Sequence, residues 1–221
     1  MVMGLLTKLL LTKKLKFENG LISLEGMKLN LLPSMFTSEI MRYHIKENSL
    51  WKLYMMSWLW GFAIVHKSIK EFNLKTPEEI YRVGMDLGEA LGIGIYKTHD
   101  YYPGRYTHFS IKNNPFLENM KLTEKTKEPI DYFVSGAMAG GGCFVHDAVC
   151  QNIEIKCMAM GHDVCEFLTG TEKELKDRGL WDIAKERYKL NKIYALQDDI
   201  FKNYNEKNGN DFVKKVIDII S

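Results

Sequence analysis

Cysteine is scarce in this chain, and so is any excess of charge. Four cysteines among 221 residues are too few and too closely spaced for a disulfide scaffold, and they argue for thiol or metal chemistry in a reducing compartment, the cytoplasm. Lysine and arginine number 30 against 28 acidic residues. That balance gives no electrostatic case for nucleic acid as a direct partner. No uncharged run reaches the roughly 20 residues a membrane span needs; Leu53 to Val65, between Lys52 and His66, reads as a core helix. A signal peptide would carry its charges ahead of its apolar run and a small-residue cleavage site after it. Here Lys8 interrupts the run and Lys13, Lys14 and Lys16 follow it, so Met1 to Phe17 reads as a packed or surface-lying segment. Internal repeats and low-complexity segments are lacking too.

What is there suits one globular domain with extensions. With 46% apolar content, a chain of this length buries a sizeable core. The division expected is an N-terminal segment over 1–20, a domain over 21–170 and a helical C-terminal extension over 171–221. Residues 21 to 32 alternate between apolar and polar. With Glu25-Gly26 as a two-residue turn, Leu24 meets Met27 and Ile22 meets Leu29, a hairpin signature. Pro33-Ser34 opens a helix with Phe36, Ile40 and Tyr43 or His44 on one side.

A longer helix is expected from about Leu50 to Phe72, with Trp51, Tyr54, Met55, Trp58, Phe62 and Val65 at helical spacing. Apolar almost all round, it is the buried centre of the fold, a wall for an apolar ligand contacting Trp58 and Phe62, or both. Thr76-Pro77-Glu78-Glu79 starts the next helix with a cap, an early proline and a glutamate at the third position. Gly84 and Gly88 on that helix are expected to let it pack closely against the aromatic one. Strands follow at about Ile93 to Thr98 and Arg105 to Lys112. His108, on the second of them, reads as structural.

A further helix opens at Pro129 and runs to about Cys143. Its glycines invite comparison with a phosphate loop, but no lysine followed by serine or threonine closes the pattern. The small residues are better explained by close packing against the sheet or against a second copy. Asp131 in its first turn is favoured there by the helix dipole. Strands around Ala148 to Met158 and Val164 to Leu168 complete the expected sheet, so the fold class is α+β, an antiparallel sheet of about four strands packed against helices.

The run Glu154-x-x-Cys157-x7-Cys165 is the one place where soft and hard metal ligands converge over so short a span. Gly161 at its centre suits a hairpin that brings the two thiols face to face. Glu154 would point to the opposite face of a regular strand, and a bulge would bring it round. Three ligands leave either a fourth protein ligand or an open water position. A pair of inert buried cysteines is the plainer alternative.

The segment from Pro129 to Thr169 resembles the 4-vinyl reductase (4VR) domain. The resemblance rests on Asp131-Tyr132-Phe133-Val134-Ser135-Gly136-Ala137-Met138-Ala139-Gly140, on Glu154-x-x-Cys157, and on Met160-Gly161-His162-Asp163-x-Cys165-x-Phe167. That domain occurs alone in archaea, and its fold is shared with Golgi vesicle-tethering subunits and with the aromatic-sensing domains of bacterial activators. In those sensors zinc is held by a Glu-x-x-Cys-x7-Cys run and a cysteine 23 residues before the glutamate. The resemblance therefore implies zinc ligation by Glu154, Cys157 and Cys165. The position 23 residues before Glu154 is Asp131, which becomes the fourth ligand, with His146, Cys150 and His162 as alternatives.

Three functions follow as expectations. The first is a dimeric sensor domain that binds a small apolar or aromatic ligand and uses zinc structurally. The second is an enzyme, either a reductase of a vinyl-bearing tetrapyrrole or a zinc hydrolase, although no cofactor loop is visible. The third is an adaptor acting through the charged tail. Without a DNA-binding helix pair or an ATPase motif, this chain is not a complete transcription activator.

Overall fold

The computed structural model describes residues 15–18, 21–24, 27–29, 34–120 and 124–221. Strands β1 (Leu15–Glu18), β2 (Leu21–Leu24) and β3 (Met27–Leu29) form a three-stranded antiparallel sheet in chain order. Leu24 pairs with Met27 and Ile22 with Leu29, the register that the alternation predicts. The Glu25-Gly26 turn, Pro33 and the segment before Leu15 lie outside the described residues.

Helix α1 (Ser34–Lys46) turns Phe36 and Tyr43 outward, 52% and 61% exposed, while Ser38 and Met41 face in. The expected apolar stripe is therefore the outer face. Polar bonds fix this orientation: Ser38 Oγ donates to the Phe116 carbonyl at 2.6 Å, and Arg42 donates to the Met120 carbonyl.

Helix α2 (Leu50–Phe72) is the axis of the molecule and spans the predicted residues. Helix α3 (Pro77–Ala90) starts as expected. Thr76 accepts from the Glu79 amide at 3.2 Å, and the Glu79 carboxylate accepts from the Thr76 amide at 3.1 Å, which satisfies two backbone donors reciprocally. The main sheet is antiparallel in the order β4 (Ile95–Tyr102), β5 (Tyr106–Lys112), β7 (Cys165–Thr171), β6 (Cys150–Lys156). A short helix α4 (Pro115–Glu118) and the glycine-rich α5 (Tyr132–His146) lie between β5 and β6 in the chain.

The glycines of α5 face α2 above all. A Cβ at Gly136 would overlap the Tyr54 carbonyl and the Ser57 hydroxyl, and one at Gly140 would overlap the Trp58 carbonyl. Four residues apart, both lie on one face of α5. Gly61 of α2 answers them against the Ala137 carbonyl. Only Gly142 turns to the sheet, where a Cβ would meet Thr169. Packing on the sheet thus accounts for one glycine, and backbone contact between two helices accounts for the rest of this seam.

Four helices follow β7: α6 (Glu172–Asp177), α7 (Trp181–Arg187), α8 (Leu190–Asn203) and α9 (Gly209–Ile220). They cover the aromatic side of α2. Tyr188 stacks on Tyr54 with centroids 3.8 Å apart, and Phe62 meets Phe201 and Tyr204. A buried polar chain joins the same layers: Tyr54 Oη donates to Gln151 Oε1 at 2.7 Å, and Gln151 Nε2 donates to Gln197 Oε1 at 2.8 Å. These helices therefore share the core of the preceding domain. Among the described residues no helix is long and apolar enough to cross a membrane.

Candidate ligand cavity and metal cluster

The metal run is gathered by a bulge. β6 pairs Glu154 with Phe167 but Lys156 with Glu166, so Ile155 is an extra residue and the strand reverses its faces there. Glu154 and Cys157 then share the inner side. Beyond the last strand pair the chain makes a 3₁₀ turn over Met158–Met160 and passes through Gly161 at φ +92°, a left-handed angle that glycine adopts freely. This connection is wider than the tight hairpin expected. It still returns Cys165 to Cys157.

The ligand atoms of Glu154, Cys157 and Cys165 lie within 4.8 Å of one another, and all three residues are buried. Among the described residues no fourth histidine, cysteine, aspartate or glutamate atom lies within that radius. Asp131 approaches through its backbone, its amide donating to Glu154 Oε2 at 3.0 Å. Its carboxylate caps α5 by accepting from the Val134 amide at 3.0 Å, and takes Asn114 Nδ2 at 2.5 Å. The alternatives for the fourth position lie elsewhere: Cys150 packs beside Cys143, and His146 beside Gly142. His162 is exposed.

Acids crowd this site. Burial, then the nearby Cys157 and Asp131, push the Glu154 carboxyl well up, and burial pushes Asp131 up to about 7. Hydrogen bonding from the Cys165 thiol, helped by backbone amides, draws Cys157 down to about 6, while the same bond and burial push Cys165 up. Glu154 Oε1 is buried with no hydrogen-bond partner. Two thiols, a glutamate with a free oxygen and converging geometry form a donor set that fits a divalent, thiophilic cation.

A half-open, mainly apolar cavity lies between α2, α3, α5 and the sheet. Its walls are Trp60, Ile64 and Val65 of α2, Ile80, Tyr81, Gly84 and Leu87 of α3, Met138, Gly141 and Val145 of α5, with Thr107 and Phe109 of β5 and Thr169 of β7 as its floor. The mainly apolar lining is that of small-molecule sites. Missing side chains make the room. A Cβ at Gly84 would meet nothing within 4 Å, and Gly88 faces Tyr96 instead of the aromatic helix. Both glycines were expected to serve packing against α2.

Trp58 and Phe62 do not line this cavity. They sit on the other side of α2, buried beneath the C-terminal helices, with Trp58 Nε1 donating to the Cys150 carbonyl at 3.2 Å. The face of α2 turned to the cavity is Trp60, Gly61, Ile64 and Val65. His108 also lies apart, between Asp100 and Glu166. Cavity and cluster nonetheless share elements: β7 carries Cys165 and Thr169, and α5 begins at Asp131 and continues through Met138 and Val145.

No family model matches the chain, and no curated protein does. Among solved structures, the phenol-responsive sensory domain of the transcription activator PoxR, crystallised with phenol, superposes with a TM-score of 0.65 at 15% identity, covering 77% of this chain and 93% of that one. The fold is that of the PoxR sensory domain. A trafficking protein particle complex subunit 3 from Naegleria fowleri, covalently bound to palmitic acid, gives 0.48 at 11% identity over 62% of this chain and 91% of that one. A vinyl-4-reductase family protein from Methanocaldococcus jannaschii gives 0.39 at 16% identity over 62% and 88%. An aromatic-sensing domain of a bacterial activator is one of the fold relatives that the 4VR resemblance implies.

Proposed function

We propose that this protein is a sensor domain that binds a small apolar or aromatic molecule in the cavity between α2, α3, α5 and the sheet, with a structural zinc ion at Glu154, Cys157 and Cys165. The carrying observation is the mainly apolar cavity, with half-buried Gly84 at its wall. Glycine in a helix interior costs about 1 kcal/mol relative to alanine, and here no packing contact requires it. The PoxR domain, of the same fold, was crystallised with phenol, which supports a ring of similar size.

Zinc would be held by Glu154, Cys157 and Cys165, and Asp131 would complete the set only by turning to the ion a carboxylate that in this structure caps α5 and takes Asn114 Nδ2. Bound there, it would neutralise a buried acidic cluster and tie the β6–β7 connection to the start of α5. Its role would be structural once a fourth protein ligand closes the site, since that leaves no activated water. An enzyme would need an open position and a general base beside it.

The protein is inferred to pair with a second copy of itself. The outward row of Phe36, Ile40 and Tyr43 on α1 supports this, since such a row invites burial. The test of the whole reading is calorimetric titration of the purified protein with toluene and phenol, alongside metal analysis and mass in solution. Saturable binding, one zinc per chain and a dimeric mass are expected. No binding of either ring would refute the sensor reading.

A further inference from the structure

The floor of the cavity changes chemistry along β5. Phe109 stands opposite Phe167 with the rings 5.4 Å apart, and Ile111 stands opposite Cys165. Two residues before Phe109, and so on the same face of the strand, Thr107 stands opposite Thr169. Both threonines are buried, and both line the cavity. Their hydroxyls differ in what they meet. Thr169 Oγ1 accepts from Asn152 Nδ2 at 2.7 Å, and the Tyr81 hydroxyl, also on the lining, meets Thr98 Oγ1 at 2.8 Å. Thr107 Oγ1 has no hydrogen-bond partner among the described residues. Nor is it shut off from space, as the unpartnered oxygens of Tyr101 and Asn152 in the same cross-strand row are. The space beside this buried residue is the cavity that it lines.

Resting on the ligand-binding reading above, we propose that the Thr107 hydroxyl bonds the oxygen of an uncharged ring ligand and fixes which end of the ring lies on β5. A threonine hydroxyl both donates and accepts, so a ligand carbonyl or hydroxyl suits it. The hydroxyl and the methyl of Thr107 branch from one carbon, and no hydrogen bond holds either in place. One χ1 rotation therefore presents the oxygen to whatever the methyl touches. The lining holds no lysine, arginine, histidine, aspartate or glutamate, so a charged ligand would lose its hydration and find no counter-charge. Leu87, Phe109 and Met138 around the ring set shape, and Thr107 sets orientation. A site that bonds one ligand atom discriminates against the analogue lacking it.

The test is calorimetric titration of the full chain and its Thr107→Val and Thr107→Ser variants with acetophenone, cumene and benzoate. Valine keeps the branched shape and removes the hydroxyl, while serine keeps the hydroxyl. Acetophenone and cumene are close in shape and differ by the carbonyl oxygen. Thr107→Val is expected to weaken acetophenone roughly threefold to tenfold and to leave cumene unchanged. Thr107→Ser should keep the preference for acetophenone over cumene, and benzoate should bind none of the three proteins. Since no protein group loses a partner, Thr107→Val should also melt no lower than the unaltered chain. Unaltered acetophenone affinity in Thr107→Val would overturn the proposal and leave the cavity reading standing. So would an equal loss of both neutral ligands, or a lower melting temperature, either of which would make Thr107 a structural residue. Tight benzoate binding would overturn the claim of an uncharged ligand. If neither neutral ring binds the unaltered chain, the ligand-binding reading itself falls.

Discussion

The amide of Asp131 donates to Glu154 Oε2 at 3.0 Å across 23 residues of sequence, fastening the start of α5 to the end of β6. The Asp131 carboxylate meanwhile caps α5 through the Val134 amide. Capping and metal ligation can be separated, because asparagine caps as well as aspartate but brings no charge to zinc. Asp131→Asn keeps the Val134 cap but loses the bond from Asn114 Nδ2, so it is expected to cost about 1–3 kcal/mol without metal and to weaken zinc about tenfold to a hundredfold, read by competition with a chelator. Asp131→Ala, losing the cap, should also cost about 1–2 kcal/mol without metal. Equal zinc affinity in Asp131→Asn and the unaltered protein would remove Asp131 from the ligand set.

Zinc removal has a predictable pH signature. Glu154 and Cys165 are pushed up in the metal-free fold, and zinc must displace the protons they hold. The stabilisation by added zinc should therefore grow from pH 6 to pH 8. Thermal melts with and without chelator at each pH check this, and Cys165→Ser should abolish the difference. A zinc effect independent of pH would place the ion elsewhere.

Gly140 and Gly84 give opposite outcomes. Gly140→Ala puts a methyl into the Trp58 carbonyl and should destabilise by at least about 1–3 kcal/mol, the usual range for overpacking, despite better helix propensity. Gly84→Leu enters open space, so it should hold or raise stability by up to about 1 kcal/mol and abolish ring binding. Denaturant melts and calorimetry read both. Ring binding that survives Gly84→Leu would mean the ligand sits elsewhere.

His146 is buried, neither ring nitrogen has a hydrogen-bond partner, and burial lowers its pKa from 6.5 to about 4. A base depressed in the fold takes up protons on unfolding, so its stabilising contribution is full above pH 6.5 and is lost as pH falls toward 4. That drop corresponds to roughly 3 kcal/mol. His146→Leu should flatten the acid limb of the stability curve by about this amount, measured by urea melts at pH 7 and pH 4. An unchanged acid limb would contradict the assignment.

Local signals in the sequence carried far. The β2–β3 register, the Thr76 capping box and the bounds of α2 follow from alternation, cap chemistry and helical period. The need for a bulge at Glu154 follows from strand parity alone. Which side of α2 meets the cavity was not legible, because a helix apolar all round has no periodic signal to separate Trp58 and Phe62 from Trp60 and Ile64. That choice is made by α8 and α9, which arrive more than a hundred residues later and cover Trp58 and Phe62. Gly84 offers one signal in retrospect: a glycine inside a well-capped amphipathic helix with nothing packed on it.

The most direct measurement is a crystal structure of the protein grown with toluene and recorded above and below the zinc edge. The account predicts ring density between Trp60, Ile64, Phe109 and Met138, and an anomalous peak between Glu154, Cys157 and Cys165. A cavity closed by its own side chains, with no ring bound and no peak at the cluster, would contradict it.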